Sequence, residues 1–186
     1  DIEAVASLMP SGMDLWIMIE TPAAVLNLQA LAACAESGPL TAFCMGTNDL
    51  AKETGAALIE GRAPMQTALS LSVLAARQYG LAILDGVYID IPNLDGLAAE
   101  CQAGADMGFD GKTLIHPSQI ETANQVFGPS RAEIEEARII VAAFDDPANA
   151  GKGVLTVNGK MTEFLHRDMA RRVLAIADAI EALEGK

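Results

Sequence analysis

The chain has 186 residues, 51 % hydrophobic and only 4 % aromatic, with 12 Lys plus Arg against 25 Asp plus Glu and a net charge of −13. The length fits about one domain, and the composition is that of a folded protein, not a disordered one. The charge argues against a general nucleic-acid binder and against a protein lying on anionic lipid, because both need clustered Lys and Arg.

No apolar run reaches the roughly 18 residues of a transmembrane helix. The opening Asp1-Ile2-Glu3-Ala4-Val5 is acidic and lacks the basic region of a signal peptide. No methionine precedes it, and the chain is expected to run almost directly into a strand. Cys34, Cys44 and Cys101 are widely spaced and form no CxxC pair. They read as free thiols of a cytoplasmic protein.

The first strand is the apolar run Leu15-Trp16-Ile17-Met18-Ile19, expected to be buried on both faces. Thr21 as N-cap and Pro22 in the first turn open a helix through Val25, Leu26, Leu28 and Leu31, ending near Gly38-Pro39. Leu40 to Met45 is the second strand, followed by a turn at Gly46-Thr47-Asn48-Asp49 and a polar stretch with Gly55 and Gly61. A helix from Met65 to Tyr79 stops at Gly80, a natural C′ residue. Ala82 to Asp85 is the third strand, with Val87-Tyr88-Ile89 close behind, and Asn93 caps a helix to about Ala103. Thr113-Leu114-Ile115 is the fourth strand, and Pro117 starts a short helix. Ser130 and Glu133 form a capping box for a helix to about Phe144. After the Gly151-Lys152-Gly153 loop come a short strand, Val154 to Val157, and a last helix from about Thr162 to Leu183. Strands separated by helices predict βαβ units and a parallel sheet.

In such folds ligands bind at the carboxyl ends of the strands. Each strand here ends near a polar residue: Glu20, Asp49, Asp85 with Asp90, and His116. Glu20 and Asp49 stand out. Two carboxylates from neighbouring strand ends, completed by water and substrate oxygens, are a usual Mg²⁺ set, and the ion acts as a Lewis acid on a carbonyl. Alternatively each caps the helix that follows. His116, before a proline, is either a structural hydrogen-bonder or a catalytic residue. His166 with Arg167, Arg171 and Arg172 is either a solvated helix face or an anion contact. The common dinucleotide, P-loop, α/β-hydrolase and zincin signatures are absent from the sequence.

Four motifs occur in a fixed order: Ile17-Met18-Ile19-Glu20-Thr21-Pro22; Gly46-Thr47-Asn48-Asp49-Leu50; Gly111-Lys112-Thr113-Leu114-Ile115-His116-Pro117-Ser118-Gln119-Ile120; and the pair Gly151-Lys152-Gly153 with Gly159-Lys160-Met161. This ordered set resembles the citrate lyase β-subunit-like enzymes of the HpcH/HpaI-type aldolase superfamily. The resemblance implies a (β/α)₈ TIM barrel and Mg²⁺-dependent cleavage of a 3-hydroxyacyl-CoA thioester (malyl-, citramalyl- or citryl-CoA-like) into an acyl-CoA and a 2-keto acid. It implies Glu20 and Asp49 as metal ligands. Substrate binding falls to Pro22, Ala23, Asn48, Asp85, His116 and Pro117, with backbone N–H groups after Pro22 receiving a carboxylate. A complete barrel needs eight βα units, and only four are legible here. The chain is therefore expected to hold the C-terminal half of a barrel (1–128) plus a helical extension (129–186). The enolate-stabilising arginine and some CoA contacts would lie in the other half. In the tail, Met161-Thr162-Glu163 stands where related members have Met-x-Asp, an acid that serves a neighbouring subunit. Glu163 is the expected catalytic acid, or merely a first-turn acid of the last helix, and a thioesterase step would depend on it. A homotrimer or homohexamer is implied. The alternatives are a class II pyruvate aldolase acting on free 4-hydroxy-2-keto acids, and a regulatory subunit that keeps the fold.

Overall fold

A computed structural model describes residues 2–185; Asp1, the first residue of the acidic opening, and Lys186 lie outside the described residues. The chain divides into two units, the first ending at Phe127 and the second starting at Gly128.

The first unit opens with α1 (Ile2–Leu8), a helix not expected ahead of the first strand. β1 (Leu15–Ile19) follows. The helix after Thr21 is broken into α2 (Pro22–Leu26) and α3 (Leu28–Ala33), because Asn27 leaves helical geometry at φ −117°. β2 (Leu40–Met45) leads into α4 (Thr47–Thr54), where the sequence suggested only a turn. α5 (Gln66–Gln78), β3 (Ala82–Asp85), α6 (Leu94–Met107), β4 (Gly111–Lys112) and α7 (Ile120–Phe127) complete the unit. β4 lies earlier than expected and is shorter. Beyond Lys112 the chain leaves the sheet, and the Ile115 N–H donates to the Gln119 side chain, 3.1 Å away.

The four strands are all parallel and lie side by side in chain order, β1-β2-β3-β4. A doubly wound sheet would reverse direction at a switch point. Sequential order without reversal is the wall of a TIM-type barrel. Phe43, Ile19, Met45 and Ile83 pack with Leu69, Val73 and Ala76 of α5, forming the layer between sheet and helices. On the other face of the edge strand β1, Trp16 and Met18 are exposed, at 58 % and 49 %.

In the second unit, α8 (Arg131–Asp145) begins at the expected capping box, with Ser130 and Glu133 bonded reciprocally. β5 (Val154–Val157) and β6 (Lys160–Glu163) form an antiparallel hairpin, and α9 (Phe164–Glu184) packs along α8. The sequence reading missed β6. Its signal is Asn158-Gly159, both left-handed at φ 50° and 76°, which is the two-residue turn that matches the twist of paired strands. No described helix is long and apolar enough to cross a membrane.

Candidate metal and substrate site

Side chains alternate faces along a strand, so parity decides where a strand-end residue points. The register pairs Met18 with Cys44 and Cys44 with Leu84, so these three share a face. Glu20 is two residues beyond Met18 and continues on that face, away from the helix-packed core. Gly46 reports the position directly. A Cβ there would meet the Cβ of Glu20, its Oε2 at 2.7 Å and Met18 Cε at 3.3 Å. Gly46 therefore makes room for the Glu20 carboxylate, and its own N–H donates to the Ile19 carbonyl at 2.9 Å, locking the two strand ends together.

Asp49 stands in the first turn of α4, three residues past Gly46. The turn is pressed from the other side by Gly86, where a Cβ would come within 2.5 Å of Thr47 Oγ1 and 3.0 Å of the Met45 carbonyl. Glu20 is half-buried and Asp49 exposed, and neither carboxylate has a hydrogen bond or ion pair among the described residues. No third His, Cys, Asp or Glu joins them in a metal-binding group among the described residues. Two open carboxylates with room for water and ligand oxygens suit Mg²⁺; they do not suit a four-ligand structural zinc. The Gly46 cradle and the oxygen-only donors fit the implied ion.

Around the pair, Thr21 caps α2 as expected, its hydroxyl accepting from the Ala24 N–H at 3.1 Å. The Val25 N–H goes to the Thr21 carbonyl. Pro22 has no N–H, so Ala23 is the first-turn donor left for an anion. Asn48 lines a cavity of about 620 Å³ beyond β2 and β3, together with Thr47, Tyr88, Arg62 and Glu100. Burial, then the charges of Asp90, Glu100 and Glu60, push the Tyr88 phenol up.

Asp85 corrects the sequence reading. It follows Leu84 by one residue and so points to the opposite, helix-covered side. It is fully buried. One carboxylate oxygen accepts from Arg62 Nη1 at 2.6 Å and from the Gly86 N–H at 2.8 Å, and the other from Lys112 Nζ at 3.1 Å. Lys112 Nζ also donates to Glu100 Oε1 at 2.6 Å, and Arg62 Nε lies 3.6 Å from Glu100 Oε2. Gly104 lets α6 approach, since a Cβ there would sit 3.0 Å from Asp85 Oδ2. Asp85 is the hub of a closed ion cluster, inaccessible to a substrate and with its acceptors occupied. The sequence reading missed Arg62, Glu100 and Lys112, because the cluster joins residues from three separate elements and only Lys112 fell in a motif.

The long motif is mostly scaffold. The Thr113 hydroxyl donates to the Asp85 carbonyl at 3.1 Å. Gln119 is fully buried, donating to the Tyr88 carbonyl at 2.9 Å and accepting from the Ile115 N–H. His116 caps the turn that follows: its Nδ1 accepts from the Ser118 N–H at 3.2 Å, which puts the proton of the neutral ring on Nε2. His116 and Pro117 are exposed.

In the second unit, Glu163 is half-buried at the start of α9, its N–H donating to His166 Nδ1 at 3.0 Å. The basic cluster is largely internal to this unit. Arg167 lies 4.8 Å over the Phe164 ring, and Arg171 pairs with Asp145 at 3.0 Å. The three cysteines are free thiols. Burial pushes Cys44 and Cys101 up, which leaves them inert.

The model of the HpcH/HpaI aldolase/citrate lyase family matches residues 9–117, a span that carries both carboxylates and the long motif as far as Pro117. The chain belongs to this family. A second model, a C-C bond lyase of the TIM-barrel fold, matches residues 65–180. Over 182 residues the chain is 52 % identical to a (3S)-malyl-CoA thioesterase of Cereibacter sphaeroides, covering 98 % of this chain and 62 % of that protein. It is 33 % identical to the human mitochondrial citramalyl-CoA lyase, over 91 % of this chain and 52 % of that protein. Among solved structures, the Mycobacterium tuberculosis protein CitE in complex with magnesium, acetoacetate and coenzyme A is similar at a TM-score of 0.72 and 27 % identity, over 90 % of this chain and 62 % of that one. The chain thus spans less than two thirds of the length of these relatives.

Proposed function

We propose that the protein is a Mg²⁺-dependent carbon–carbon lyase that cleaves a malyl-, citramalyl- or citryl-CoA-like 3-hydroxyacyl-CoA into an acyl-CoA and a 2-keto acid. The observation that carries this reading is the pair of carboxylates, Glu20 and Asp49, unpartnered among the described residues and set at adjacent parallel strand ends, with Gly46 making room for one of them. Glu20 and Asp49 would hold Mg²⁺, which when bound supplies Lewis-acid polarisation of the keto-acid oxygen.

The chain's own groups do the remainder. The Ala23 N–H donates to the acid's carboxylate, and Asn48 and the His116 Nε2–H offer further donors to substrate oxygens, with Pro117 packing beside them. In cleavage the bond between the thioester α-carbon and the hydroxyl-bearing carbon breaks. The hydroxyl loses its proton to a base, and the α-carbon keeps the electron pair and then takes up a proton. We assign the carboxylate proton transfer to Glu163 of a neighbouring copy, within a trimer or hexamer. Residues 1–128 are in this reading half of the barrel, and 129–186 its lid.

A second reading is hydrolysis of the thioester, and the 52 % identity to a malyl-CoA thioesterase favours it. The test is the whole protein with Mg²⁺ against malyl-CoA, citramalyl-CoA and free 4-hydroxy-2-keto acids, scoring keto acid and free CoA thiol separately. Keto acid formed from the thioester, and abolished by EDTA and by Glu20→Gln, supports the lyase. Thiol release without keto acid selects the hydrolase, and activity on free acids alone selects the aldolase.

A further inference from the structure

The ion cluster around Asp85 costs more than stability explains. Arg62, Asp85, Lys112 and Glu100 are largely taken out of water, and apolar residues of like volume fill such a place at no greater cost. Arg62 adds two penalties of its own. Its backbone is left-handed at φ 52°, next to Gly61 at φ 72°, a conformation that a residue with a Cβ adopts under strain. Its Nη2 is buried with no hydrogen-bond partner among the described residues, which is costly for a guanidinium N–H.

What the cluster holds is one peptide plane. The carbonyl of the Asp85–Gly86 peptide accepts from the Thr113 N–H at 3.0 Å and from the Thr113 hydroxyl at 3.1 Å. The N–H of the same peptide, that of Gly86, donates at 2.8 Å to Asp85 Oδ1, which Arg62 Nη1 also holds at 2.6 Å. Lys112 Nζ fixes the other carboxylate oxygen. Both ends of the peptide are pinned, and with them the Cα of Gly86.

That Cα abuts the start of α4. A Cβ on it would come within 2.5 Å of Thr47 Oγ1, 3.0 Å of Thr47 Cγ2 and 3.0 Å of the Met45 carbonyl. Thr47 is buried, and α4 begins at Gly46 with no side-chain cap. The turn Thr47-Asn48-Asp49 is set instead by what presses on it, Glu20 against Gly46 on one side and Gly86 against Thr47 on the other.

We propose that Asp85, Arg62 and Lys112 are positioning residues of the metal site. They act on Asp49 through Gly86 and Thr47, fixing the first turn of α4 so that Asp49 presents its carboxylate to the same ion as Glu20. The inference rests on the Mg²⁺ reading of Glu20 and Asp49 above and adds what keeps the second ligand in place.

The test is calorimetric titration of the whole protein with Mg²⁺, alongside the Tm of each variant. Asp85→Asn frees the Gly86 peptide. Glu100→Gln makes the same change in charge within the cluster but has no bond to that peptide, so it controls for the field alone. Gly86→Ala pushes on Thr47 directly, and Gly86→Ala with Thr47→Ala gives the new methyl the space of the two lost γ atoms. Mg²⁺ affinity should fall by about tenfold or more in Asp85→Asn and in Gly86→Ala. It should stay within about twofold of wild type in Glu100→Gln and return to that range in the double variant, whatever their Tm values. Equal losses in Asp85→Asn and Glu100→Gln would overturn the proposal, because charge alone would then account for them. So would wild-type affinity in Gly86→Ala, or a double variant that binds no better than Gly86→Ala. If Asp85→Asn does not fold, the Gly86 pair decides. These failures leave the metal reading standing as long as the wild type binds Mg²⁺ and Glu20→Gln does not. A wild type that binds no Mg²⁺ sinks that reading, and this inference with it.

Discussion

Two strand ends of one sheet, with β2 between them, carry the same kind of residue and use it in opposite ways. At the end of β1, Glu20 is open, half-buried and without a partner among the described residues. At the end of β3, Asp85 is fully buried and saturated by Arg62, Lys112 and the Gly86 N–H. The difference is one residue of register. Glu20 is in phase with Met18 and so emerges on the face away from the helices; Asp85 is out of phase with Leu84 and is driven beneath α6. A carboxylate at a strand end is thus available for chemistry on one parity and becomes a structural ion on the other.

The contrast breaks if the two residues respond alike to mutation. Asp85→Ala leaves Arg62 and Lys112 buried with Glu100 alone to balance them, and urea denaturation should register a loss of about 3–5 kcal/mol. Glu20→Gln should leave the denaturation midpoint within about 0.5 kcal/mol of wild type, while turnover falls by about a hundredfold or more, roughly 2.7 kcal/mol of barrier. Equal destabilisation by both, or an active Glu20→Gln protein, would end the distinction.

A finer probe is Gly46→Ala. Its Cβ collides with Glu20, so a stability loss of about 1–3 kcal/mol from overpacking is expected, together with weaker Mg²⁺ binding in titration. Gly86→Ala presses on Thr47 instead and should lower stability similarly while leaving Glu20 in place. If Gly46→Ala bound Mg²⁺ as tightly as wild type, the close approach would have no part in the site.

The smallest effect lies away from both strand ends and serves as their control. The Ser130 hydroxyl, then its backbone N–H, hold the Glu133 carboxyl below its ordinary value. A depressed folded value means the contribution is complete above the ordinary carboxylate range near about 4.3 and is lost as pH falls through the folded value. Ser130→Ala should cost about 1 kcal/mol at neutral pH and less in acid, read as a Tm difference that narrows below about pH 4. It should leave Mg²⁺ binding untouched.

Much of both units was legible because the signals are local. Apolar runs placed β1, β2 and β3, and Thr21, Asn93 and Ser130 each cap the helix they were expected to cap. The misses are equally physical. α4 is polar and begins without a side-chain cap, so nothing in its sequence marks its start. β4 pairs through only two residues, too few to leave a pattern. β6 has a legible turn at Asn158-Gly159, but its own residues, Lys160 to Glu163, lack strand character.

The sequence by itself determined the alternation of the parallel strands with helices, the family, and the two carboxylates that could hold a cation. These follow from periodicity, caps and ordered motifs, all readable along one dimension. Only the tertiary structure decided which strand-end acid is free. It gave Lys112 and Gln119 of the long motif to scaffold and brought Arg62 from a glycine-rich loop beneath the site. Those outcomes depend on register and on close approaches at Gly46, Gly86 and Gly104, where one absent Cβ sets what can touch, and no single segment encodes a contact between two.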